Sequence, residues 1–215
     1  MLSKRLKEIC KLVPKKCNVI DIGCDHALLD IYLTLYNDNK CIASDISSKV
    51  IEQAKKNINK YNLQDKITTI VSNGIENIKI KKNSIIIISG MGTHTIIDIV
   101  SKIDINKIDK LIIQSNNNLY DLRREINLLG YEIELEKIVL DRNKFYTIIV
   151  FKKGKILYNK KILKYGYNVI CDEDYKKYIT YLINKNNEII NNLKNKHILK
   201  KIKLKIENYK LKKHT

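Results

Sequence analysis

Short apolar runs alternate with amphipathic stretches along the first 150 residues. The run Ser84-Ile85-Ile86-Ile87-Ile88 is apolar almost throughout, which is typical of a strand buried on both faces of a parallel sheet. An amphipathic helix over residues 3–13 ends at Pro14. Strands are predicted over residues 17–22, 40–44, 66–71, 84–88 and 110–114, with helices over 27–36, 47–60, 93–101 and 119–129 between or after them.

Two further strands, over residues 131–140 and 144–151, flank the turn Asp141-Arg142-Asn143. Alternating strands and helices predict a doubly wound, three-layer sheet with right-handed crossovers. A parallel sheet that ends in a β-hairpin is typical of the Rossmann-like class I methyltransferase fold, in which the last strand inserts antiparallel. The predicted fold class is therefore α/β.

The C-terminal part has a different pattern. Residues 152–171 form a connector, and from Asp172 the apolar spacing is helical, with a break at Asn195-Lys196-His197. Two antiparallel helices packed on each other, a coiled-coil hairpin, are expected. We therefore predict a catalytic domain over residues 1–153 and a helical domain over residues 154–215.

Positive charge is concentrated in this tail. Residues 152–215 contain 18 lysines against five acidic residues, whereas residues 1–151 contain 23 basic and 18 acidic residues. A lysine-rich genome composition would raise lysine everywhere and does not readily explain this contrast. The tail therefore favours a polyanionic partner such as RNA.

Several classes of protein are disfavoured. No apolar stretch is long enough to span a bilayer, and the N-terminal segment lacks the apolar core of a secretion signal. Five cysteines, an odd number, indicate reduced thiols and a cytoplasmic location. Cys10, Cys17 and Cys24 fall on different predicted elements and no C-x-x-C occurs, so no metal site is expected. A monomer is expected.

Polar and small residues follow five successive predicted strands. Parallel α/β sheets bind ligands at the carboxyl ends of their strands, so these side chains are expected to gather at one edge. The candidates are Asp21, Gly23, Asp25, His26, Asp45, Ile46, Asn73, Gly74, Gly90, Met91, Gly92, Gln114 and Asn116.

The first of these turns, Asp21-Ile22-Gly23-Cys24-Asp25-His26, indicates the kind of ligand. It lacks the phosphate-binding G-x-G-x-x-G pattern. Its carboxylates would repel pyrophosphate but suit a cationic, phosphate-free cofactor such as S-adenosylmethionine. Asp45, 22 residues after Gly23, is placed to accept hydrogen bonds from two ribose hydroxyls. Gly90-Met91-Gly92 resembles part of a dinucleotide fingerprint, but Thr95 stands where the third glycine belongs.

Simpler structural roles are open for several of these residues. Asp21 or Asp25 could cap the following helix, and Asp45 could only form the turn before Ser47. The glycines around Met91 could serve tight packing alone. His26 and His94 could be ordinary polar residues at loop ends.

Four motifs together resemble the bacterial tRNA (adenine(22)-N1)-methyltransferase (TrmK-like) family. They are Asp21-Ile22-Gly23-Cys24-Asp25-His26-Ala27, Ser89-Gly90-Met91-Gly92, Gln114-Ser115-Asn116 and Asp141-Arg142-Asn143-Lys144-Phe145-Tyr146. The resemblance covers nearly the whole chain. Cys24 replaces a serine of the family, Thr93 the last glycine of G-M-G-G, and Ser115 the proline of Q-P-N. Tyr165-Gly166-Tyr167 also replaces an F-G-P-like element.

The resemblance implies methyl transfer from S-adenosylmethionine to N1 of an adenine at tRNA position 22. Cofactor-binding roles are expected for the candidates from Asp21 to Gly92, with Asp25, Met91 and Asn116 acting in catalysis. Methylation of another RNA position or of a small molecule, and a non-catalytic RNA-binding role, are the alternatives. The absence of an Asn/Asp-Pro-Pro-aromatic motif after the fourth strand argues against methylation of an exocyclic amine.

Overall fold

A computed structural model describes residues 2–212, except for the side chain of Asn195. It contains one seven-stranded sheet of order β3-β2-β1-β4-β5-β7-β6. The first five strands are parallel, and β7 runs antiparallel to both β5 and β6. The strands are β1 (Asn18–Ile22), β2 (Lys40–Asp45), β3 (Ile67–Val71), β4 (Ser84–Met91), β5 (Ile108–Ser115), β6 (Tyr131–Asp141) and β7 (Lys144–Lys153). The predicted doubly wound sheet and the inserted last strand are confirmed.

Eight α-helices occur within residues 2–212. They are α1 (Lys4–Lys11), α2 (Leu28–Asn37), α3 (Ser48–Lys60), α4 (Thr93–Ser101), α5 (Leu119–Leu128), α6 (Lys160–Tyr165), α7 (Glu173–Asn192) and α8 (Ile198–Lys212). Polar side chains define several starts: the Ser47 hydroxyl accepts from the Val50 amide, and Asp172 accepts from the Tyr175 amide. Helix α6 lies inside the predicted connector, where Asn159 caps its start.

The core consists of two layers, one on each face of the sheet. On β4, Ile85 and Ile87 face the layer made with α1, α2 and α3, whereas Ile86 and Ile88 face the layer made with α4 and α5. Successive side chains of a strand point to opposite faces. The continuous isoleucine run therefore supplies both layers, as the sequence predicted.

The C-terminal helices pack against the sheet as well as against each other. Asn208 of α8 hydrogen-bonds to Asn186 and Asn187 of α7, which is the expected antiparallel hairpin. A third apolar cluster joins Tyr175 and Ile179 of α7 to Ile138 of β6. The tail thus lies on the β6–β7 hairpin, beside the carboxyl end of the sheet.

A buried ion pair connects this tail to the body of the fold. The Glu136 carboxylate accepts from the Arg123 guanidinium at 2.9 and 2.6 Å, and the two side chains are 1% and 4% exposed. Arg123 also donates to the carbonyl of Leu163, and Glu136 accepts from the amide of Tyr167. One charge pair therefore joins α5 and β6 to helix α6 and to the residues that directly follow it.

Replacing Glu136 with Gln should lower the free energy of unfolding by about 3–5 kcal/mol, because the Arg123 charge would remain buried without a counter-charge. Urea denaturation measures this. Glu134→Gln on the same strand is the matched control: its partner Lys110 lies 2.7 Å away, but both side chains are about a quarter exposed. The control should lose about 1 kcal/mol or less, and equal losses in the two variants would contradict the assignment.

Candidate active site

The carboxyl ends of β1, β2 and β4 form a crevice of about 370 Å³, named here the acidic crevice. Three carboxylates line it, from Asp21, Asp25 and Asp45. Its other lining residues are Arg5, Leu6, Gly23, Cys24, His26, Leu28, Leu29, Ser89, Gly90 and Met91. Arg5 and Leu6 come from α1, which the sequence analysis did not connect with the site.

Gly23 shapes the floor of the acidic crevice. Its φ is +79°, and a Cβ atom there would overlap with Cε of Met91 unless that side chain moved. The amides of Gly23 and Cys24 both donate to the Ser44 carbonyl, at 2.8 and 2.9 Å. The chain therefore turns away from β1 while remaining bonded to β2, in a backbone conformation that favours glycine.

Asp21 forms a buried carboxyl pair with Asp30 of α2. Burial raises the pKa of Asp21 to about 7; the hydrogen bond from Asp30 opposes this rise, and the charges of Asp45 and Asp25 add to it. Burial and the Asp21 charge raise the pKa of Asp30 further. Because burial raises the pKa of both groups, the pair holds a proton at neutral pH.

Asp45 both stabilises a turn and lines the acidic crevice. One carboxylate oxygen accepts from the Ser47 amide at 2.9 Å, which makes the turn expected as its simple structural role. The same side chain also lines the acidic crevice. The turn hydrogen bond therefore holds the carboxylate in place at the end of β2.

The proposed capping role for Asp21 or Asp25 is wrong. Among residues 2–212, no side chain caps α2, whose N-cap is Ala27 with φ +55°. Asp25 is exposed, has φ +50°, and lies 3.5 Å from the His26 ring nitrogen. Asp25 lines the acidic crevice instead of capping the helix.

Cys24, which departs from the family motif, is buried behind this turn. Burial and the carboxylates of Asp30 and Asp21 raise the pKa of its thiol. A neutral thiol is close to a serine hydroxyl in size and can donate weakly, here to the Asp25 carbonyl at 3.8 Å. The replacement therefore preserves the local arrangement.

Six candidates do not line the acidic crevice, and one of them, Gln114, is fully buried. Ile46 is 70% exposed beyond Asp45. Asn73 donates to Glu76, and Gly74 lies against Ile99. Gly92 is the N-cap of α4. Asn116 lines a different cavity.

That second cavity, named here the tyrosine crevice, has a volume of about 840 Å³ and shares Arg5 and Gly90 with the acidic crevice. Its aromatic and basic lining residues are Lys144, Phe145, Tyr146, Tyr178, Tyr181 and Lys185. The first three belong to β7 and the others to α7. In the sequence, the spacing of Tyr178 and the other apolar residues of α7 predicts a helix with one apolar face. It does not indicate that this helix contributes to the site.

Metal chemistry was not expected, and within residues 2–212 no group of three or more His, Cys, Asp or Glu side chains is arranged to hold a metal ion. No helix in that part of the chain is long and apolar enough to cross a membrane.

Strand order, carboxylate-rich turn and inserted antiparallel strand together define a Rossmann-like methyltransferase domain. A methyltransferase-domain family model matches residues 2–149. The chain belongs to the TrmK-like family of bacterial tRNA (adenine(22)-N1)-methyltransferases, as its motifs predicted.

Three relatives illustrate this likeness. A Mycoplasma genitalium relative, classed among the tRNA methyltransferases, is 37% identical over 161 residues, covering 72% of this chain and 71% of its own length. The Bacillus subtilis tRNA (adenine(22)-N(1))-methyltransferase is 30% identical over 156 residues, covering 71% and 66%. The structure of M. capricolum TrmK with S-adenosyl-homocysteine is 31% identical, with a TM-score of 0.80 over 100% of this chain and 97% of that one.

The buried carboxyl pair predicts an unusual dependence of stability on pH. Because both pKa values are raised on folding, the folded protein binds more protons than the unfolded chain. This contribution to stability is complete below about pH 4 and is lost progressively as pH rises. The shift of the Asp21 pKa to about 7 alone corresponds to roughly 4 kcal/mol, at about 1.4 kcal/mol per pKa unit. Asp30→Asn removes one of the two titrations, so its free energy of unfolding should rise relative to wild type between pH 5 and pH 8.

Urea denaturation at several pH values measures this difference. Asp38→Asn is the control, because Asp38 is exposed and its pKa is lowered by Lys66, which places its titration below the tested range. Parallel pH profiles for wild type and Asp30→Asn would contradict a shared buried proton.

Proposed function

We propose that this protein transfers a methyl group from S-adenosylmethionine to N1 of an adenine in tRNA, at position 22 as in its named relatives. The observation that carries the proposal is the junction of two crevices. A carboxylate-lined crevice at the sheet edge opens, past Arg5 and Gly90, into a crevice lined by tyrosines and lysines. The first suits a cationic donor and the second a nucleic-acid base.

The residues of the acidic crevice fit S-adenosylmethionine chemically. Three carboxylates line it, and of the described lining residues only Arg5 carries a permanent positive charge. Such a site attracts ammonium and sulfonium groups and repels phosphates. In this proposal Asp21, Gly23 and Asp25 hold the methionine end, with His26 beside them, and Asp45 accepts from the ribose hydroxyls.

The remaining cofactor contacts are proposed from position in the fold. Asn73 and Gly74, with Ile46, flank the adenine ring beyond the ends of β2 and β3. Gly90, Met91 and Gly92 border the methyl group, where β4 ends between the two crevices.

Methyl transfer needs alignment more than proton chemistry. The cofactor supplies an electrophilic methyl group, and adenine N1 has a lone pair at neutral pH, so no general base is required. The protein's task is to hold donor and acceptor in line. Met91 separates the two binding regions, and the Asp25 carboxylate stabilises positive charge arriving on the methylated base.

The tyrosine crevice accounts for the acceptor. N1 lies on the pairing edge of adenine, so the base must leave its stack before reaction. Tyr146, Tyr178 and Tyr181 offer ring faces on which an extruded base can stack. Lys144 and Lys185 at the same cavity can contact flanking phosphates.

A primer-extension assay tests the reaction itself. A methyl group at N1 blocks base pairing, so reverse transcription should stop next to one adenine only after incubation with protein and cofactor. A stop next to a nucleotide other than adenine 22 would assign the methylation to a different position of the tRNA. The absence of any stop, with cofactor binding intact, would favour a non-catalytic RNA-binding role.

Asp45→Asn should weaken S-adenosylmethionine binding by roughly tenfold to a hundredfold, because a charged acceptor of ribose hydroxyls is replaced by a neutral amide. Asparagine can still accept from the Ser47 amide, which preserves the turn. Isothermal titration calorimetry measures the dissociation constant, and Asp38→Asn is the control far from the crevice. An unchanged constant would reject the ribose contact.

Replacing Lys200, Lys203 and Lys205 of α8 with glutamine should weaken tRNA binding and leave cofactor affinity unchanged. All three are exposed. Each lost phosphate contact should reduce the slope of log affinity against log salt concentration by about 0.7–0.9. Filter binding at several salt concentrations measures that slope.

The matched control changes Lys15, Lys16 and Lys40, which are exposed near the amino ends of β1 and β2, on the opposite side of the sheet. It removes the same charge. Equal losses in both triple variants would mean that overall charge, and not the tail, binds tRNA.

The expected monomer and cytoplasmic location stay predictions. Acting on tRNA supports the cytoplasm as the site of function, and light scattering on the purified protein measures its mass in solution.

A further inference from the structure

A chain of side-chain hydrogen bonds runs from α1 to the tyrosine crevice. The Arg5 guanidinium donates to the amide oxygen of Gln114. The Gln114 amide nitrogen donates to the Asn116 oxygen at 3.2 Å, and the Asn116 nitrogen donates to the Gly90 carbonyl at 2.6 Å. Gln114 is fully buried, so each of these contacts affects its free energy.

The direction of this chain is determined at both ends. A guanidinium can only donate, so the Gln114 oxygen must face Arg5 and its nitrogen must face Asn116. At the other end, the Gly90 carbonyl can only accept, so it must meet the Asn116 nitrogen. Ser89 adds a donor to the same Gln114 oxygen at 3.2 Å. If the side-chain amide of Gln114 or Asn116 were reversed, two donors or two acceptors would face each other.

Arg5 is itself held firmly in place. Its backbone amide donates to the Asp141 carboxylate at 3.1 Å, and its guanidinium carbon lies 5.0 Å from the centre of the Tyr146 ring. Both contacts come from the β6–β7 hairpin. The arginine therefore bridges α1, the hairpin and the end of β5 at the junction of the two crevices.

We propose that Arg5 is a positioning residue that fixes the Asn116 amide so that it reads the N6/N7 edge of the acceptor adenine. Asn116 keeps a second oxygen lone pair and a second N–H at the tyrosine crevice, after its bonds to Gln114 and Gly90. An asparagine amide pairs with adenine through N6–H and N7. Pairing of Asn116 with N6 and N7 leaves N1 of the adenine free to accept the methyl group. The inference rests on the proposed function.

The orientation also gives selectivity. Guanine presents O6 where adenine presents the N6 amino group, so the fixed Asn116 oxygen would meet another acceptor. If the amide could reverse, this discrimination would be lost. Arg5 therefore determines base choice through Gln114 and Asn116 without touching the base.

The test combines protein variants with altered acceptors. Wild type, Arg5→Ala and Arg5→Lys are assayed on tRNA carrying adenine, purine (which lacks the 6-amino group) or 7-deazaadenine at the methylated position. Wild type should prefer adenine over each analogue by roughly tenfold to a hundredfold in kcat/KM. Arg5→Ala should lose most of that preference, and Arg5→Lys, which keeps a single donor, should fall between.

Comparing ratios within each variant removes the intrinsic difference in N1 reactivity between the bases. Lys7→Ala, which removes a positive charge from the exposed face of the same helix, is the matched control and should retain the wild-type preference. Cofactor affinity by calorimetry is measured alongside, because Arg5 also lines the acidic crevice. A side-chain role in folding alone would lower all three rates together.

Two outcomes overturn the inference alone: an active wild type without preference among the bases, or an Arg5→Ala variant that keeps the full preference. A wild type that binds cofactor but methylates no adenine in any tRNA would instead overturn the proposed function, and this inference with it. Side-chain amide NMR signals of Gln114 and Asn116 give a readout besides activity: they should shift in Arg5→Ala and stay unchanged in Lys7→Ala.

Discussion

Strand β1 lies between β2 and β4, and the position of this one strand creates the site. The chain leaves β1 toward β2, and after β3 it crosses back to β4 on the other side of β1, so the connections part at the carboxyl end of β1 and open a gap. Gly23 forms the turn that borders this gap, because the positive φ there favours a residue without a side chain. The carboxylates of Asp21, Asp25 and Asp45 then reach one cavity although they lie on separate turns.

Burial gives the polar groups around this gap their properties. Asp21 and Asp30 are removed from water together, so the pKa of each carboxyl group is raised, that of Asp21 to about 7. Farther along the sheet, Arg123 and Glu136 are also buried, but they form an ion pair that holds α5, β6 and the connector together. The Asp21–Asp30 pair affects the charge of the acidic crevice. The Arg123–Glu136 pair holds the C-terminal segment that forms part of the tyrosine crevice.

The tail and the catalytic domain meet at the acceptor side of the proposed reaction. Helix α7 brings Tyr178, Tyr181 and Lys185 to a cavity that already contains Tyr146 and Asn116. The Lys4–Asp174 ion pair, at 2.6 Å, adds a second link between α1 and α7. A helical segment that reads in sequence as an RNA-binding appendage is thus also a wall of the candidate active site.

Much of this was determined by local sequence. Isoleucine runs specified the strands, Ser47 and Asp172 the helix starts, and the hairpin turn the antiparallel end of the sheet, because these depend on periodicity and on contacts a few residues apart. The gathering of Asp21, Asp25 and Asp45 followed from strand order. Four other features could not be predicted from the sequence, because each joins residues whose separation along the chain follows no pattern. They are the Asp21–Asp30 pair, the contacts of α6, the tyrosine crevice and the Arg5–Gln114–Asn116 chain. Only tertiary packing brings Arg5 into contact with Gln114. Because Gln114 is buried away from water, that contact determines the orientation of its side-chain amide.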